Sequence, residues 1–333
     1  MNNNKIIDCI TFFDNNFIFD LRYNILKEYV DYFVICESKY DHRNNPKKIN
    51  FNKKIYNSKK IKHFIMEKPF PKNTNFWNNQ AIQREYMLEN LNFVEANDYI
   101  FFSDPDEIPE PSILKNFNLK KKYGVFFQKC FNYKFNLYNP YETPWEGTRV
   151  CKKKNLKSID FMRQKIKSKN LKYNFFRFDK EKSIQIYENA GWHLNNIMEP
   201  EQMSLKLKTF AHSEFSSRKY SDIETIKSKI DRKVDLFNRG HQYRKISLDN
   251  SFPKYLRDNI ERNFRSFSEY NWGIEFYNDR VTQGYIDYLR TNEYRAKVSY
   301  HYKLMTDPWS NILTSYKDEV KIILEKIDAS DYK

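Results

Sequence analysis

The sequence has no cysteine pair of the kind that binds zinc or exchanges disulfides. Its four cysteines are Cys9, Cys36, Cys130 and Cys151, and no two of them form a Cys-x-x-Cys pair. This excludes a zinc ribbon and a thioredoxin-type motif. Cys9 and Cys36 lie inside apolar runs, where a free cysteine behaves as a small buried hydrophobe. The simplest interpretation is a chain that stays in a reducing compartment.

Long apolar segments are also missing. No stretch reaches the ~18 apolar residues that a membrane span requires. The polar start at residues 1–5 is followed by an apolar run that ends at Phe13, which is too short for a signal peptide. We therefore expect a soluble, cytoplasmic protein without a membrane span.

Negative charge is in the minority. The chain has 43 Asp and Glu against 58 Lys and Arg, which leaves a formal net charge of +15. A basic surface concentrates anionic partners such as nucleotide sugars, nucleic acid and phospholipid headgroups. Part of this excess is typical of an AT-rich genome. Aromatic residues make up 17% of the chain, which excludes a disordered protein, because disordered chains lack aromatic and branched residues.

Short apolar runs alternate with amphipathic segments in the first hundred residues. Strands are predicted for the apolar runs Ile6–Phe13, Tyr32–Cys36, Ile61–Met66 and Tyr99–Phe102. Helices are predicted for residues 17–29, where apolar residues recur every three or four positions, and for 75–90. Strand, helix and strand in this order form a βαβ unit with parallel strands. The predicted fold class is α/β.

The pattern is less regular further along the chain. Strands are expected at 124–131 and 183–187, and the Lys-rich stretch 152–172 is predicted to be a mobile surface loop. Helical spacing is found in three later segments, 221–237, 253–264 and 309–327. We expect one domain over residues 1–215 and a mainly helical C-terminal extension packed on it over residues 216–333.

The loop after the fourth predicted strand carries three carboxylates in four residues. Its sequence is Ser-Asp-Pro-Asp-Glu at 103–107. Because like charges this close repel each other, the loop favours a bound cation. Asp104 and Asp106 alternate along an extended segment and so point to one side. Hard divalent ions such as Mg²⁺ take oxygen ligands and complete their shell with substrate phosphates. In open α/β sheets, ligands bind outside the carboxyl ends of the strands, where this loop falls.

Six blocks, in order along the chain, resemble glycosyltransferase family 17. They are IIDCITFFDN, the helix with Leu21-Arg22, VDYFVICES, FFSDPDEIPEPSIL, NAGWHL at 189–194 and KTFAHSE at 208–214. The resemblance covers roughly residues 5–215. It implies a GT-A-type, Rossmann-like sheet that binds a nucleotide sugar, a UDP-N-acetylglucosamine donor, a divalent metal (Mn²⁺ or Mg²⁺) and inversion at the anomeric carbon. The family's reference member modifies the β-mannose of N-glycans, so a glycan acceptor, with β-linked mannose as one option, is implied as well.

Metal-binding roles follow from this resemblance. Asp104 and Asp106 are expected to bind the metal and the ribose or diphosphate of the donor, in an order that the sequence leaves open. Glu107 either binds the metal or orients a neighbouring group. His193 and His212 each lie in a family block, and because imidazole suits Mn²⁺, they are further candidate ligands.

An inverting transfer needs a general base that takes the proton of the acceptor hydroxyl. Glu214 is the first candidate, followed by Glu146 and Glu142. The alternative for Glu214 is an ordinary carboxylate at a helix start.

Four residues are candidates for donor binding. Arg84, on a polar helix face, is a candidate for the diphosphate, with a surface ion pair as the alternative. Glu37 and Ser38, at the end of the second strand, are candidates for the uridine. Trp192 is a candidate for contact with a sugar ring or the base, or else a core residue.

Two other classes of protein remain in competition at this point. One is a metal-dependent phosphodiesterase or nuclease, which also groups carboxylates around Mg²⁺ but normally distributes them over several strands. The other is a basic nucleic-acid-binding protein, for which no recognisable module is present. The sequence therefore favours a glycosyltransferase with no nucleic-acid partner.

Overall fold

A mixed β-sheet forms the centre of the chain. In the computed structural model, which describes residues 4–56, 59–209 and 217–259, the strands are β1 (Ile6–Phe12), β2 (Tyr32–Ser38), β3 (Ile61–Met66), β4 (Tyr99–Ser103), β5 (Glu107–Pro109), β6 (Tyr123–Asn132), β7 (Leu137–Tyr138), β8 (Trp145–Lys152), β9 (Ile184–Tyr187), β10 (Gly191–Asn195) and β11 (Arg244–Lys245). The helices are α1 (Asn16–Leu26), α2 (Phe76–Glu89), α3 (Pro111–Leu114), α4 (Ile159–Lys165), α5 (Pro200–Thr209), α6 (Arg218–Ser221), α7 (Ile223–Asp231) and α8 (Lys254–Asp258). None of these helices is long and apolar enough to cross a bilayer.

Four parallel strands, in the order β3-β2-β1-β4, make up one half of the sheet. β8 then pairs antiparallel with β4, and β6 pairs antiparallel with β8. β4 thus has one parallel and one antiparallel neighbour. The direction of progression along the sheet reverses between β1 and β4, and such a switch point is where open α/β sheets bind ligands. The predicted α/β fold class is confirmed.

The apolar runs form strands because both faces of the sheet are covered. Every residue of β4 is buried, and β1 and β2 are buried except at one position each. Helix α1 begins after Asn15, whose side chain accepts a hydrogen bond from the Ile18 amide (3.0 Å). Its apolar stripe, including Leu21 and Ile25, is buried, as its spacing predicts.

The Lys-rich stretch 152–172 is not a loop, and that prediction was wrong. Helix α4 begins after Ser158, whose hydroxyl accepts a hydrogen bond from the Phe161 amide (3.0 Å). Ile159, Met162 and Ile166 are buried. Ile159 and Met162, three residues apart, lie on one face of α4, and Ile166 follows directly after the end of the helix. This apolar face decides the local structure, and the lysine content concealed it.

After residue 215, the part that the structure describes contains the short helices α6, α7 and α8 and the short strand β11. The segment 221–237 contains α7, followed by a turn, and 253–264 contains α8 over its described residues. The predicted helix at 309–327 lies outside the described residues. The boundary between residues 215 and 216 stays a prediction.

Candidate active site

Ser103–Glu107, hereafter the acidic loop, leaves β4 at the switch point of the sheet. Arg22 of α1 holds this loop: its Nη1 donates to the Glu107 carbonyl oxygen (2.7 Å) and its Nη2 to the Ser103 hydroxyl (3.1 Å). Its Nε donates to the Asp8 carboxylate in β1 (2.7 Å), and both side chains of this ion pair are buried. The first βαβ unit therefore fixes the backbone of the acidic loop.

Two arginines neutralise Asp104. Arg163 of α4 donates to its Oδ2 (2.7 Å), and Arg84 Nη2 lies 3.8 Å from its Oδ1. Burial alone would raise the pKa of Asp104, but the two positive charges outweigh it and lower the pKa to about 2. Asp104 is therefore a carboxylate with its charge already balanced by the protein.

Arg84 lies next to the acidic loop, but its surroundings differ from those expected. Its Nη1 donates to Asp160 of α4 (2.7 Å), and the residue is buried. The polar helix face predicted to be solvent-exposed is covered because α4 packs on α2. Of the two roles considered for Arg84, the ion pair is present in the structure, although it is buried and not at the surface.

Glu107 is fully buried, and its carboxylate is surrounded by donors. Trp145 Nε1 and Arg163 Nη2 both donate to Oε1 at 2.6 Å. Oε2 accepts from Arg163 Nη1 (3.1 Å) and from the Asp104 amide (3.1 Å). Since both oxygens are engaged, the geometry favours the orienting role for Glu107 over direct metal binding.

Asp106 is in a different situation. Its carboxylate accepts no hydrogen bond from the described residues, and its Oδ1 lies 3.8 Å from His193 Nε2. Burial raises the pKa of Asp106, and this effect outweighs the attraction of His193 and Lys206. The other ring nitrogen of His193, Nδ1, lies 3.6 Å from Cys130 Sγ, and the ring stacks on Trp145 with centroids 4.5 Å apart. The Asp106 carboxylate and His193 Nε2 thus face each other, and no described group donates a hydrogen bond to that carboxylate.

A second pairing of strands brings His193 to this position. β10 pairs antiparallel with β5, so that His193 is in register with Glu107. The approach is close at Gly191, where a Cβ atom would lie 2.1 Å from the Ile108 carbonyl oxygen, and the backbone φ is +127°. Only glycine fits such a position without strain. Gly191 therefore allows β10 to bring the histidine to the acidic loop.

Glu37 and Ser38 anchor the segment that follows β2. Both oxygens of Glu37 are engaged: Lys47 Nζ and the Asn50 amide donate to Oε1, each at 2.7 Å, while Oε2 lies 3.3 Å from His63 Nε2. Burial raises the pKa of Glu37, but these donors outweigh it and the net shift is downward. The Ser38 hydroxyl accepts from the Tyr40 amide (3.0 Å). Their predicted contact with uridine stays a prediction.

Trp192 and Glu146 also have partners within the protein. The Trp192 indole is buried and donates to the Ser251 carbonyl oxygen (3.0 Å). Because side chains alternate along a strand, Trp192 and His193 point to opposite faces of β10. The core role for Trp192 fits this placement. Glu146 Oε1 accepts from the Ser168 amide (3.2 Å), and its Oε2 pairs with Arg149 (3.1 Å).

Two predicted site residues, Glu214 and His212, lie outside the described residues. Among the residues that the structure does describe, no group of three or more His, Cys, Asp or Glu is arranged to hold a metal ion. Asp106 and His193 nevertheless offer an oxygen and a nitrogen that face each other. This set fits a divalent ion that takes its remaining ligands from substrate phosphates and water.

Several residues of the site were missed in the sequence. Arg163 lies in the stretch predicted to be a loop. Trp145 and Cys130 lie in strands whose pairing joins residues that are well separated in the sequence. Arg22 is part of a block that carries the family resemblance, but nothing in that block indicates its contact with the acidic loop. A signal for Arg163 was present in the helical spacing of Ile159 and Met162.

Solved structures resemble the chain only distantly. Glucosyl-3-phosphoglycerate synthase from Mycobacterium tuberculosis, in complex with Mn²⁺, UDP and phosphoglyceric acid, shares 10% identity at a TM-score of 0.33, covering 77% of this chain and 92% of its own. A glycosyltransferase involved in glycosylation of the major capsid of PBCV-1 shares 10% identity at a TM-score of 0.26, covering 55% and 81%. HddC from Yersinia pseudotuberculosis with GMP-PN shares 10% at 0.28, covering 55% and 90%. Scores of this size carry no argument about function.

Sequence comparison is more informative. No curated protein matches the chain. The family model described as Glycosyltransferase family 17 matches residues 1–243, which is well over half of the sequence and includes the acidic loop, β8 and β10. The resemblance of the six sequence blocks is thereby confirmed, and the chain belongs to glycosyltransferase family 17.

Proposed function

We propose that this chain transfers N-acetylglucosamine from UDP-N-acetylglucosamine to a hydroxyl group of a glycan, with inversion and with the help of a divalent ion. Family membership supports the transfer of a sugar. The observation that carries the proposed site is the acidic loop at the switch point, where the Asp106 carboxylate faces His193 Nε2 at 3.8 Å. The sugar and the acceptor, for which β-linked mannose is one candidate, rest on the family alone.

Asp106 and His193 are the groups that would hold the ion. Cys130 Sγ lies beside His193 Nδ1, which orients the ring so that Nε2 faces Asp106. A bound divalent ion supplies positive charge that stabilises the diphosphate as it leaves. The carboxylate of Asp106, which is poorly compensated in the protein alone, would gain a partner from the same event.

Asp104 and Glu107 serve to shape this site. Arg163 bridges both carboxylates, and Arg22 fixes the backbone between them. We assign Asp104, whose charge is already balanced, to accepting hydrogen bonds from the hydroxyl groups of the donor's ribose. Such preorganised groups need no rearrangement when the transition state forms.

Glu214, Glu146 and Glu142 are the candidates for the general base. Both oxygens of Glu146 and of Glu142 are engaged: Glu142 accepts from Asn139 (2.7 Å) and from Arg239 (2.6 Å). Either would have to leave its partners in order to take a proton. Glu214 therefore stays the first candidate, and Glu214→Gln should abolish transfer while UDP-sugar binding is retained.

Release of UDP from UDP-N-acetylglucosamine, with and without glycan acceptors, tests the proposed reaction. We expect UDP release that requires Mn²⁺ or Mg²⁺ and rises when a suitable glycan is added, together with a product heavier by one N-acetylglucosamine in mass spectrometry. Metal-dependent cleavage of a phosphodiester, without any transfer of sugar, would replace the proposal by the phosphodiesterase alternative.

A further inference from the structure

Three phenylalanines protrude from the surface between α4 and β9. Phe175, Phe176 and Phe178, here called the aromatic knob, are 77%, 76% and 81% exposed. Single exposed apolar side chains are ordinary on protein surfaces. A contiguous group of large apolar rings is not, because it leaves a large apolar area in water, and such patches mark interaction sites.

The knob is held in shape by local hydrogen bonds. The Asn174 side chain accepts from the Phe176 amide (3.1 Å), and its carbonyl oxygen accepts from the Arg177 amide (3.0 Å). The ring centroids of Phe175 and Phe176, and those of Phe175 and Phe178, are 6.1 Å apart in edge-to-face geometry. The three rings therefore form one apolar protrusion and not three separate side chains.

Positive charge surrounds the knob. Residues 165–182 contain seven basic side chains and two acidic ones, a net charge of +5. The basic residues are Lys165, Lys167, Lys169, Lys172, Arg177, Lys180 and Lys182. The basic run at 120–122 adjoins this segment, because the Lys122 amide donates to the Ser183 hydroxyl (3.0 Å). The apolar rings are thus set in a basic surface.

We propose that the aromatic knob docks the protein on an anionic lipid surface. In this arrangement the three rings enter the interfacial layer of the bilayer, where aromatic side chains are favoured. The flanking lysines contact the negatively charged headgroups, and their attraction falls off within a Debye length. Insertion of the apolar rings and attraction of the lysines to the headgroups both favour binding to such a membrane. Either interaction alone would give weak, reversible binding.

The ring geometry argues against single-stranded nucleic acid as the partner. Bases stack on ring faces that line a basic groove. The rings of the knob meet at interplanar angles of 74° and 72°, and they form a protrusion. Their faces therefore do not form a series on which successive bases could stack. The lipid proposal is independent of the proposed transferase reaction.

Co-sedimentation of the full chain with vesicles tests the proposal. The probes are vesicles of phosphatidylcholine alone and of phosphatidylcholine mixed with phosphatidylglycerol, each at low and high salt. We expect binding to the anionic vesicles that weakens at high salt. The variant Phe175→Ser/Phe176→Ser/Phe178→Ser should lower the partition coefficient by about tenfold or more. Lys169→Glu/Lys172→Glu should lower only the anionic preference.

Matched controls separate a loss of docking from a loss of folding. The variant Ile55→Ser/Tyr141→Ser removes exposed apolar side chains elsewhere and should bind vesicles like the wild type. Because the knob is exposed, its variant should keep the wild-type circular dichroism and melting temperature.

Four outcomes would overturn the proposal. They are absence of wild-type binding, equal binding to neutral and anionic vesicles, equal binding by wild type and knob variant, and a role of the knob in a different contact. The last would appear as a self-association in size-exclusion chromatography, or an oligonucleotide affinity, that is lost in the knob variant without any vesicle binding.

Discussion

Asp104 and Asp106 are two residues apart in the acidic loop, but the protein shifts the pKa values of their carboxyl groups in opposite directions. On the Asp104 side, α2 and α4 contribute Arg84 and Arg163, and the pKa of Asp104 is lowered to about 2. On the Asp106 side, β10 contributes His193 at 3.8 Å, and burial raises the pKa of Asp106. Asp104 has a hydrogen-bonded counter-charge built into the fold, whereas the attraction of His193 and Lys206 for Asp106 does not outweigh its burial.

This difference indicates that, under the proposed function, a cation would bind beside Asp106. A cation added beside Asp104 would compete with two guanidinium groups, whereas a cation beside Asp106 would stabilise the ionised form that burial disfavours. The contrast assigns different roles to the two aspartates of a motif whose sequence leaves their order open. It also predicts different responses to substitution, which the following experiments address.

The largest expected effect comes from removing the arginine that pairs with Asp104. Arg163→Met leaves the buried Glu107 and the partly exposed Asp104 without their shared partner, which should cost about 3–5 kcal/mol of unfolding free energy. Urea denaturation measures this cost, and Lys165→Met, at an exposed position of the same helix, serves as the control. A loss of stability no larger than that of the control would mean that Arg163 does not hold the acidic loop.

His193→Gln tests the part of the acidic loop that contains Asp106. We expect roughly 10- to 100-fold weaker metal affinity, the range seen when groups around a metal are removed, with little change in stability. Mn²⁺ titration in the presence of UDP measures this. His63→Gln, on β3 at the opposite edge of the parallel strands, should bind Mn²⁺ like the wild type. Unchanged Mn²⁺ affinity in His193→Gln would remove His193 from the proposed ligands.

The two aspartates should shift stability in opposite directions when each is replaced by asparagine in metal-free buffer. The lowered pKa of Asp104 contributes stability above the unfolded-state pKa of about 4, which is lost as the pH falls toward 2. Asp104→Asn should therefore cost about 1–2 kcal/mol at pH 7, after allowance for its partial exposure, and nothing at the lowest pH.

For Asp106 the sign is reversed. Its raised pKa means that ionisation is less favourable in the folded chain than in the unfolded chain, so stability is lost as the pH rises through the folded-state pKa. Asp106→Asn should thus be more stable than the wild type at pH 7 and equal to it at low pH. Melting curves across this pH range measure both variants. A loss of stability in both at pH 7 would contradict the comparison.

An effect of similar size is expected at Trp145, which contacts groups on both sides of the acidic loop. Trp145 donates to Glu107 and stacks on His193. Trp145→Phe keeps an aromatic ring but removes one donor to a buried carboxylate, which should cost about 1–2 kcal/mol in urea denaturation. Trp77→Phe, at an exposed position of α2, should change stability by less than about 0.5 kcal/mol. Equal values for the two variants would contradict the assigned hydrogen bond.

The uncompensated side of the site could be predicted from the sequence better than the compensated side. Asp106 follows an apolar strand, and the βαβ pattern places the end of that strand at the ligand crevice, so local patterns suffice. Arg163 required the recognition of a short amphipathic helix inside a lysine-rich stretch. The burial of Arg84 depends on that helix packing over α2, which periodicity along one segment does not report.

Contacts between distant strands were the hardest part to predict. Trp145, Cys130 and His193 meet because β8, β6 and β10 pair across the sheet. Nothing in the sequence of any one strand specifies its partner or register. The family resemblance indicated His193, but it did not indicate what orients the ring. Both the antiparallel half of the sheet and the charge balance of the site arise from these long-range pairings.

Calorimetric titration of UDP-N-acetylglucosamine, with and without Mn²⁺, tests the central claim most directly when wild type and Asp106→Asn are compared. Parallel titrations of UDP-glucose, UDP-galactose and GDP-mannose show which sugar and which base the site selects. We predict binding of the N-acetylglucosamine donor by the wild type only with Mn²⁺, and its loss in Asp106→Asn although that variant remains folded. Equal metal-dependent binding by both proteins, or no binding of any sugar nucleotide by the wild type, would contradict the assignment of Asp106 as the residue that holds the cation.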